Sequence, residues 1–465
     1  MDQGEMLSHI VEPLAEAVTQ TISDLRDKGE LVPEQEPYYS WKVEEFEYTE
    51  KGVTKCRRRS ELTLKESWLK SSIAVSSRVN ELAVFAGAVK LLAGIMNDQD
   101  EAAQAVANLA SELIRMCLRD TEIADETLEH LADIFLKDIS GEPVINSARV
   151  DLDGLVILAE KLEFSIADTH VVLRPVQKED LEYEARAMTP VPMRTPFPET
   201  PTAILELQFL GREMGAIQRK VEQAIAVLRL FKTGSVKYIS FQTRADSVVA
   251  QWTGGMLLAG PFERALDKAT IVKDDAPVLK QFWSVMLHTL PPDLHDLSSA
   301  RLDYMTIAYR RYCDALLTNG AVERRIANAV MSLESIFLKA GETQELLYRL
   351  SIRVARVFGV MGFDPHLVKR SVQDAYTIRS LFVHGAHLSH KKKQKLAAKH
   401  GDTRSFLLAL LDYCRMSILS ALLMKKDKDE YVDLIDDALV DTEGAKRLQQ
   451  LLQNQRHLIV PSHIE

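Results

Sequence analysis

Along most of this 465-residue chain the apolar positions recur three and four residues apart, which places them on one helical face; in a few stretches they alternate, as strands require. Leu7, Ile10, Val11, Leu14, Val18, Ile22 and Leu25 predict an opening helix, with Pro13 tolerated in its first turn and Gly29 suited to its end. Residues Trp41–Thr63 alternate on either side of Lys51-Gly52, which predicts a β-hairpin. Helical spacing resumes from Glu66 to Asp120, through ELAVFAGAVKLLAGIM and AAQAVANLASELIRMCLRD, and returns over Glu126–Leu136. Residues 1–140 thus read as a mainly helical N-terminal module.

Near Asn146 the texture changes. Ala148–Leu158, Glu163–Val176 and Ala203–Phe209 are rich in Val, Ile and Leu and predict strands. A loose run of prolines (Pro190, Pro192, Pro196, Pro198, Pro201) predicts an extended connector, or a ligand for a proline-reading domain. Glu213–Phe231 predicts a long helix ending at Thr233-Gly234, and Val236–Gln242 a further strand. Residues 145–262 therefore form an α+β block. From Ala276 the spacing is helical again: Leu297–Leu317, a break at Asn319-Gly320, then Val322–Leu338, Glu345–Phe358, His366–Val383 and Thr403–Met424. The last is apolar on most faces and belongs at the centre, and the short connections predict an up-and-down bundle over 276–424. Residues 425–465 begin acidic, DKDEYVDLIDDALVDTEG, with Tyr431, Leu434, Ile435 and Leu439 at helical spacing. This tail either covers the basic Lys391–Lys399 stretch or stands as an ordinary solvated helix.

Composition narrows the class to a mainly α, multidomain chain. A hydrophobic content of 46% supports packed cores, and the length favours two or three domains. No apolar run reaches the ~20 residues of a membrane helix, and the acids of MDQGEMLSHIVEP do not suit a secretory leader, so a cytoplasmic protein with no membrane partner is expected. Cys56, Cys117, Cys313 and Cys414 are widely spaced and read as reduced, packed thiols. The net charge of −10 argues against indiscriminate polyanion binding but leaves room for a local basic patch. Arg57-Arg58-Arg59 reads as phosphate contact or as a solvated strand face.

The candidate chemistry lies in SVQDAYTIRSLFVHGAHLSH, residues 371–390, where Arg379 and His384 precede Gly385. Imidazole can move a proton near neutral pH, and guanidinium clamps phosphate oxygens, a pairing that handles a phosphodiester without a metal or other cofactor. The spacing alone is weak, because 30 arginines and 12 histidines give on the order of two such pairs by chance. Arg456 with His463 is the other. What raises it is the order of ANAVMSLESIFL with Glu334, YRLSIRVARVFG with Arg353 and Arg356, and then DAYTIRSLFVHG.

That order, over about residues 300–424, resembles the Apea-like branch of the HEPN superfamily, all-helical domains of which many are metal-independent endoribonucleases. The resemblance places Arg379 and His384 on the Arg-x4-6-His positions and Glu334 on an acidic position of an earlier helix. Ser380 stands where ribonucleolytic members often carry Asn, Asp or His. It implies cleavage of RNA to 2′,3′-cyclic phosphate ends, with His384 moving the proton and Arg379 holding the phosphate, restrained by the N-terminal domains as in bacterial defence and toxin systems. The alternative is a non-catalytic HEPN scaffold that binds RNA, nucleotide or protein partners. A faint similarity of 145–262 to the region that precedes such domains would make that block a sensor of a regulatory ligand or a positioner of RNA.

Five residues advance ~500° on a helix, leaving Arg379 and His384 ~140° apart. Either the helix ends at Val383-His384-Gly385, which the glycine allows, or two chains complete the site. The resemblance implies the second, a homodimer. Glu334 and Asp374 are candidates to orient Arg379 and His384, although Glu334 also reads as a structural carboxylate paired with an arginine such as Arg353. His387, His390, Lys391, Lys392, Lys393 and Lys395 would steer RNA, or form a solvated charge run. His384, His387, His390 and His400 make only a weak metal pattern. No Walker motif, phosphate-cradling glycine loop or serine elbow is present.

Overall fold

The computed structural model describes residues 1–119, 123–186, 200–211, 214–248, 254–257, 267–291, 294, 303–318, 320–386 and 390–460. Helices dominate, with strands gathered in a long hairpin and a central sheet. The chain forms two units. The first is Met1–Asp151, Ala167–Gln218 and Ile239–Leu258; the second is Leu152–Ile166, Arg219–Tyr238 and Ala259–Glu465.

In the first unit the helices Glu12–Asp27, Leu69–Asn80, Ala83–Met96, Gln99–Arg119 and Asp125–Ser140 share one core, in which Leu14, Val18, Leu109, Leu113 and Phe135 are fully buried. The opening apolar stripe is the reason: Leu14, Val18, Ile22 and Leu25 all face inward from one helix. The expected hairpin is present and longer than its alternation suggested, Glu34–Thr49 against Gly52–Ser67, antiparallel, with Trp41 opposite Ser60. Gly52 sits at φ +79°, the left-handed region a tight hairpin turn needs. Arg57 and Arg59 lie largely exposed and pair with Glu44 and Glu61 across and along the hairpin, as a solvated strand face would have them. The central strands of this unit run in the order Gly254–Leu257, Lys237–Ala245, Val144–Asp153, Ala203–Gly211, Thr169–Pro175. The last two are antiparallel, with Thr169 opposite Phe209 and Pro175 opposite Ala203. Pro201 precedes Ala203–Gly211, while Pro190, Pro192, Pro196 and Pro198 lie outside the described residues.

Residues 152–166 and 219–238, from the middle of the chain, group with the C-terminal helices. In that second unit Leu155–Leu158 pairs in parallel with Ala269–Val272, a partner far along the chain that local patterning cannot reveal. Gly154, at φ +79°, begins this pairing: a Cβ there would overlap the Ser235 carbonyl. Gly154 also accepts from the Ala269 N–H at 2.9 Å through its own carbonyl. Phe164 meets Trp283 of the helix Ala276–Thr289 edge-on, 5.6 Å between ring centres.

The helical part of the second unit comprises Tyr304–Leu317, Val322–Phe337, Leu346–Val360, Pro365–Val383, His390–His400, Thr403–Met424, Lys428–Val440 and Thr442–Gln453. Val322–Phe337 packs against Tyr304–Leu317, Pro365–Val383 and Thr403–Met424. Thr403–Met424 is the one described helix long and apolar enough to cross a membrane on its own, and most of it is buried in this core. The acidic segment is part of the core too. Tyr431, Val432 and Ile435 are fully buried, Asp436 pairs with Arg353 and Asp433 with Lys339. It is not simply a solvated helix, because its apolar stripe packs on Leu346–Val360.

Candidate functional site

Two helices of the second unit bring the candidate residues together. Val322–Phe337 carries Glu334 one turn before its end. Pro365–Val383 begins with Asp364 as its cap, accepting from the His366 N–H at 2.8 Å, and with proline in the first turn. It stops at Val383. His384 is the cap residue, Gly385 follows at φ +68°, and the Ala386 and Gly385 N–H groups close on the Leu381 and Phe382 carbonyls at 2.8 and 3.0 Å. The helix thus ends where the glycine allowed, and His384 is exposed at its carbonyl end, its N–H donating to the Ser380 carbonyl at 3.2 Å.

Arg379 Nη2 donates to Glu334 Oε2 at 3.2 Å. Both side chains are largely but not wholly enclosed, 26% and 17% exposed, so a ligand could still reach the guanidinium. The guanidinium carbon lies 5.6 Å from the ring centre of Tyr376, one turn earlier, within cation–π range. Arg379 Nε is buried and has no hydrogen-bond partner among the described residues. Burial pushes the Glu334 carboxyl above the ordinary carboxylate range, with Arg379 pulling it back. The Tyr376 phenol is pushed up by burial and by the Glu334 charge.

Glu334 does pair with an arginine, but with Arg379 and not with the Arg353 given as an example. Arg353 is fully buried and bound by Glu342 and Asp436, each at 2.7 Å, and donates to the Phe337 carbonyl at 2.8 Å. The carboxylate at 334 meets Arg379 instead. Asp374 does not orient Arg379 or His384. It accepts from Lys399 Nζ at 3.1 Å and lies 3.1 Å from His400 Nε2, tying the helix His390–His400 to Pro365–Val383. His400 also stacks near Phe406, 4.4 Å between ring centres.

Of the RNA-steering candidates, His390 is exposed at the start of its helix. His387 and the side chains of Lys391, Lys392, Lys393 and Lys395 lie outside what the structure describes. Among the described residues no three His, Cys, Asp or Glu side chains come together as a metal set, and His400 is engaged by Asp374. Sequence reasoning missed Tyr376. Its spacing of three from Arg379 on one helix was the available signal.

No family model, curated protein or solved structure matches the chain.

Proposed function

We propose that the C-terminal helices form a HEPN-type up-and-down bundle of the Apea-like kind and that the protein is a metal-independent endoribonuclease. The observation that carries this reading is the Glu334–Arg379 pair across two helices, with His384 exposed at the end of the arginine's own helix. Arg379 holds the scissile phosphate through the solvent-facing N–H groups of its guanidinium fork. His384 takes the proton from the ribose 2′-hydroxyl, whose oxygen attacks the adjacent phosphorus; the P–O5′ bond breaks, and a proton returns to the 5′-oxygen. The products are a 2′,3′-cyclic phosphate and a 5′-hydroxyl. Glu334 positions Arg379 rather than touching substrate.

A single chain supplies no described side-chain partner for the His384 imidazole. Two copies facing one cleft would complete the constellation, so a homodimer is part of the proposal. Phe382 and Val383, 38% and 52% exposed beside His384, suit such an interface. In this reading the protein works in the cytoplasm, and the first unit restrains or directs the nuclease in a defence or toxin role.

The test is cleavage of mixed cellular RNA in EDTA by the full chain and by His384→Ala, with product ends identified. Cutting to cyclic-phosphate ends that is lost in the variant supports the enzyme. Salt-sensitive RNA binding without cutting, unchanged in His384→Ala, would replace it with the scaffold.

A further inference from the structure

The second unit buries several arginines, and most of them meet a carboxylate. Arg353 has Glu342 and Asp436, Arg325 has Asp267, and Arg415 has Asp412. Arg229, partly buried on the helix Met214–Phe231, differs from them. Its Nε donates to the Val236 carbonyl at 2.8 Å and Nη1 points at Cys313 Sγ, 3.7 Å away. Among the described residues no carboxylate pairs with it. An enclosed cation without a counter-charge is costly unless something supplies the charge.

Arg229 lines a cavity of about 190 Å³ shared with Glu222, Ile225, Tyr238, Leu294, Tyr309, Arg310 and Cys313. Two guanidiniums, Arg229 and Arg310, and one carboxylate, Glu222, line this space, a formal excess of one positive charge. Burial pushes the phenols of Tyr238 and Tyr309 and the Cys313 thiol up, so all three stay protonated and can donate. Ile225 and Leu294 give the same space an apolar wall. The volume lies below the roughly 300–1,000 Å³ typical of sites for drug-sized ligands, which limits the occupant to a compact molecule.

We infer that this cavity binds a compact organic monoanion, with its charged group on Arg229 and its apolar part against Ile225 and Leu294. The inference does not depend on the ribonuclease reading. Its reach toward that site is nonetheless direct, because Tyr309 and Cys313 belong to the helix Tyr304–Leu317, which packs along the helix of Glu334.

Calorimetric titration of the full chain at pH 7 with benzoate, benzamide and inorganic phosphate tests this. Benzoate, with a charge and an apolar ring, should bind saturably at one site per chain. Neutral benzamide and ringless phosphate should bind at least about tenfold more weakly, and Arg229→Gln should lose at least about tenfold in benzoate affinity, the worth of a charge-assisted hydrogen bond. Arg229 also holds the Val236 carbonyl, so the variant could lose its fold. A second measurement therefore uses the unaltered protein: benzoate should slow iodoacetamide labelling of Cys313 several-fold, read by peptide mass spectrometry, and leave Cys56 unchanged. No saturable benzoate binding with unchanged Cys313 labelling overturns the inference. So does benzamide binding as tightly as benzoate, or a folded Arg229→Gln that binds benzoate like the wild type.

Discussion

Glu334 and Arg379 lie 45 residues apart on different helices, and their side chains meet at 3.2 Å in a half-enclosed corner of the second unit. The carboxylate is held there against its preference. Its raised pKa means that the folded state binds the proton more tightly than the unfolded chain, so its contribution to stability grows as pH falls through the folded value and is unfavourable once it ionises. Glu334→Gln should therefore leave the melting temperature at pH 7 unchanged or a few degrees higher, and the variant's advantage should shrink as pH is lowered toward the ordinary carboxylate range. RNA cleavage should fall all the same, because Arg379 loses its positioning partner. A large loss of melting temperature at pH 7 would show that the pair is structural first.

His384 is exposed, and its side chain has no described contact, so removing it should spare the fold. His384→Ala should lower the cleavage rate by roughly 10²–10⁴-fold, the worth of a proton-transfer group, with a stability change within about 0.5 kcal/mol. Arg379→Lys keeps the charge and loses the planar fork, and should cost about tenfold or more in rate. Single-turnover cleavage beside thermal melting separates the two effects.

Asp374 fastens the helix His390–His400 through Lys399 and His400. The carboxylate is 27% exposed, so Asp374→Ala should cost less than about 1 kcal/mol in global stability. It should nevertheless loosen that helix. Amide hydrogen exchange over residues 390–400 should speed up while the helix Val322–Phe337 stays protected. Unchanged exchange in 390–400 would mean that Leu396 and the packing on Thr403–Met424 hold the segment without the carboxylate.

Glu342 presents the opposite titration to Glu334. Its hydrogen bonds to Arg353 hold its carboxyl down at about 2, against an ordinary 4.5. That stability is fully present above the unfolded value and is lost as pH falls from there through about 2. Glu342→Gln should cost about 2–4 kcal/mol at pH 7, because Arg353 stays buried with Asp436 as its remaining anion. Urea unfolding at pH 7 and pH 3 should show the gap between wild type and variant narrowing at the lower pH.

Local patterning determined a good deal of this protein. The stripe from Leu14 to Leu25, the alternation on either side of Gly52 and the apolar run of Thr403–Met424 each specify an element, because helix and strand put side chains out at periods a single segment can show. The end of the helix at Val383 was legible for the same reason: Gly385 is a local signal for a local event. What the periodicities could not carry is which segments meet. Leu155–Leu158 joins Ala269–Val272 where Gly154 and Gly234 admit close backbone approach, and pieces of the middle of the chain group with the C-terminal unit. The acidic run after Lys425 looked solvated by composition, yet its minority of apolar residues decided its place. Charge pairing was the least legible, since any of several arginines could have met Glu334. Arg379 meets it, while Glu342 and Asp436 close around Arg353, an outcome set by three-dimensional packing and not by anything a single segment shows.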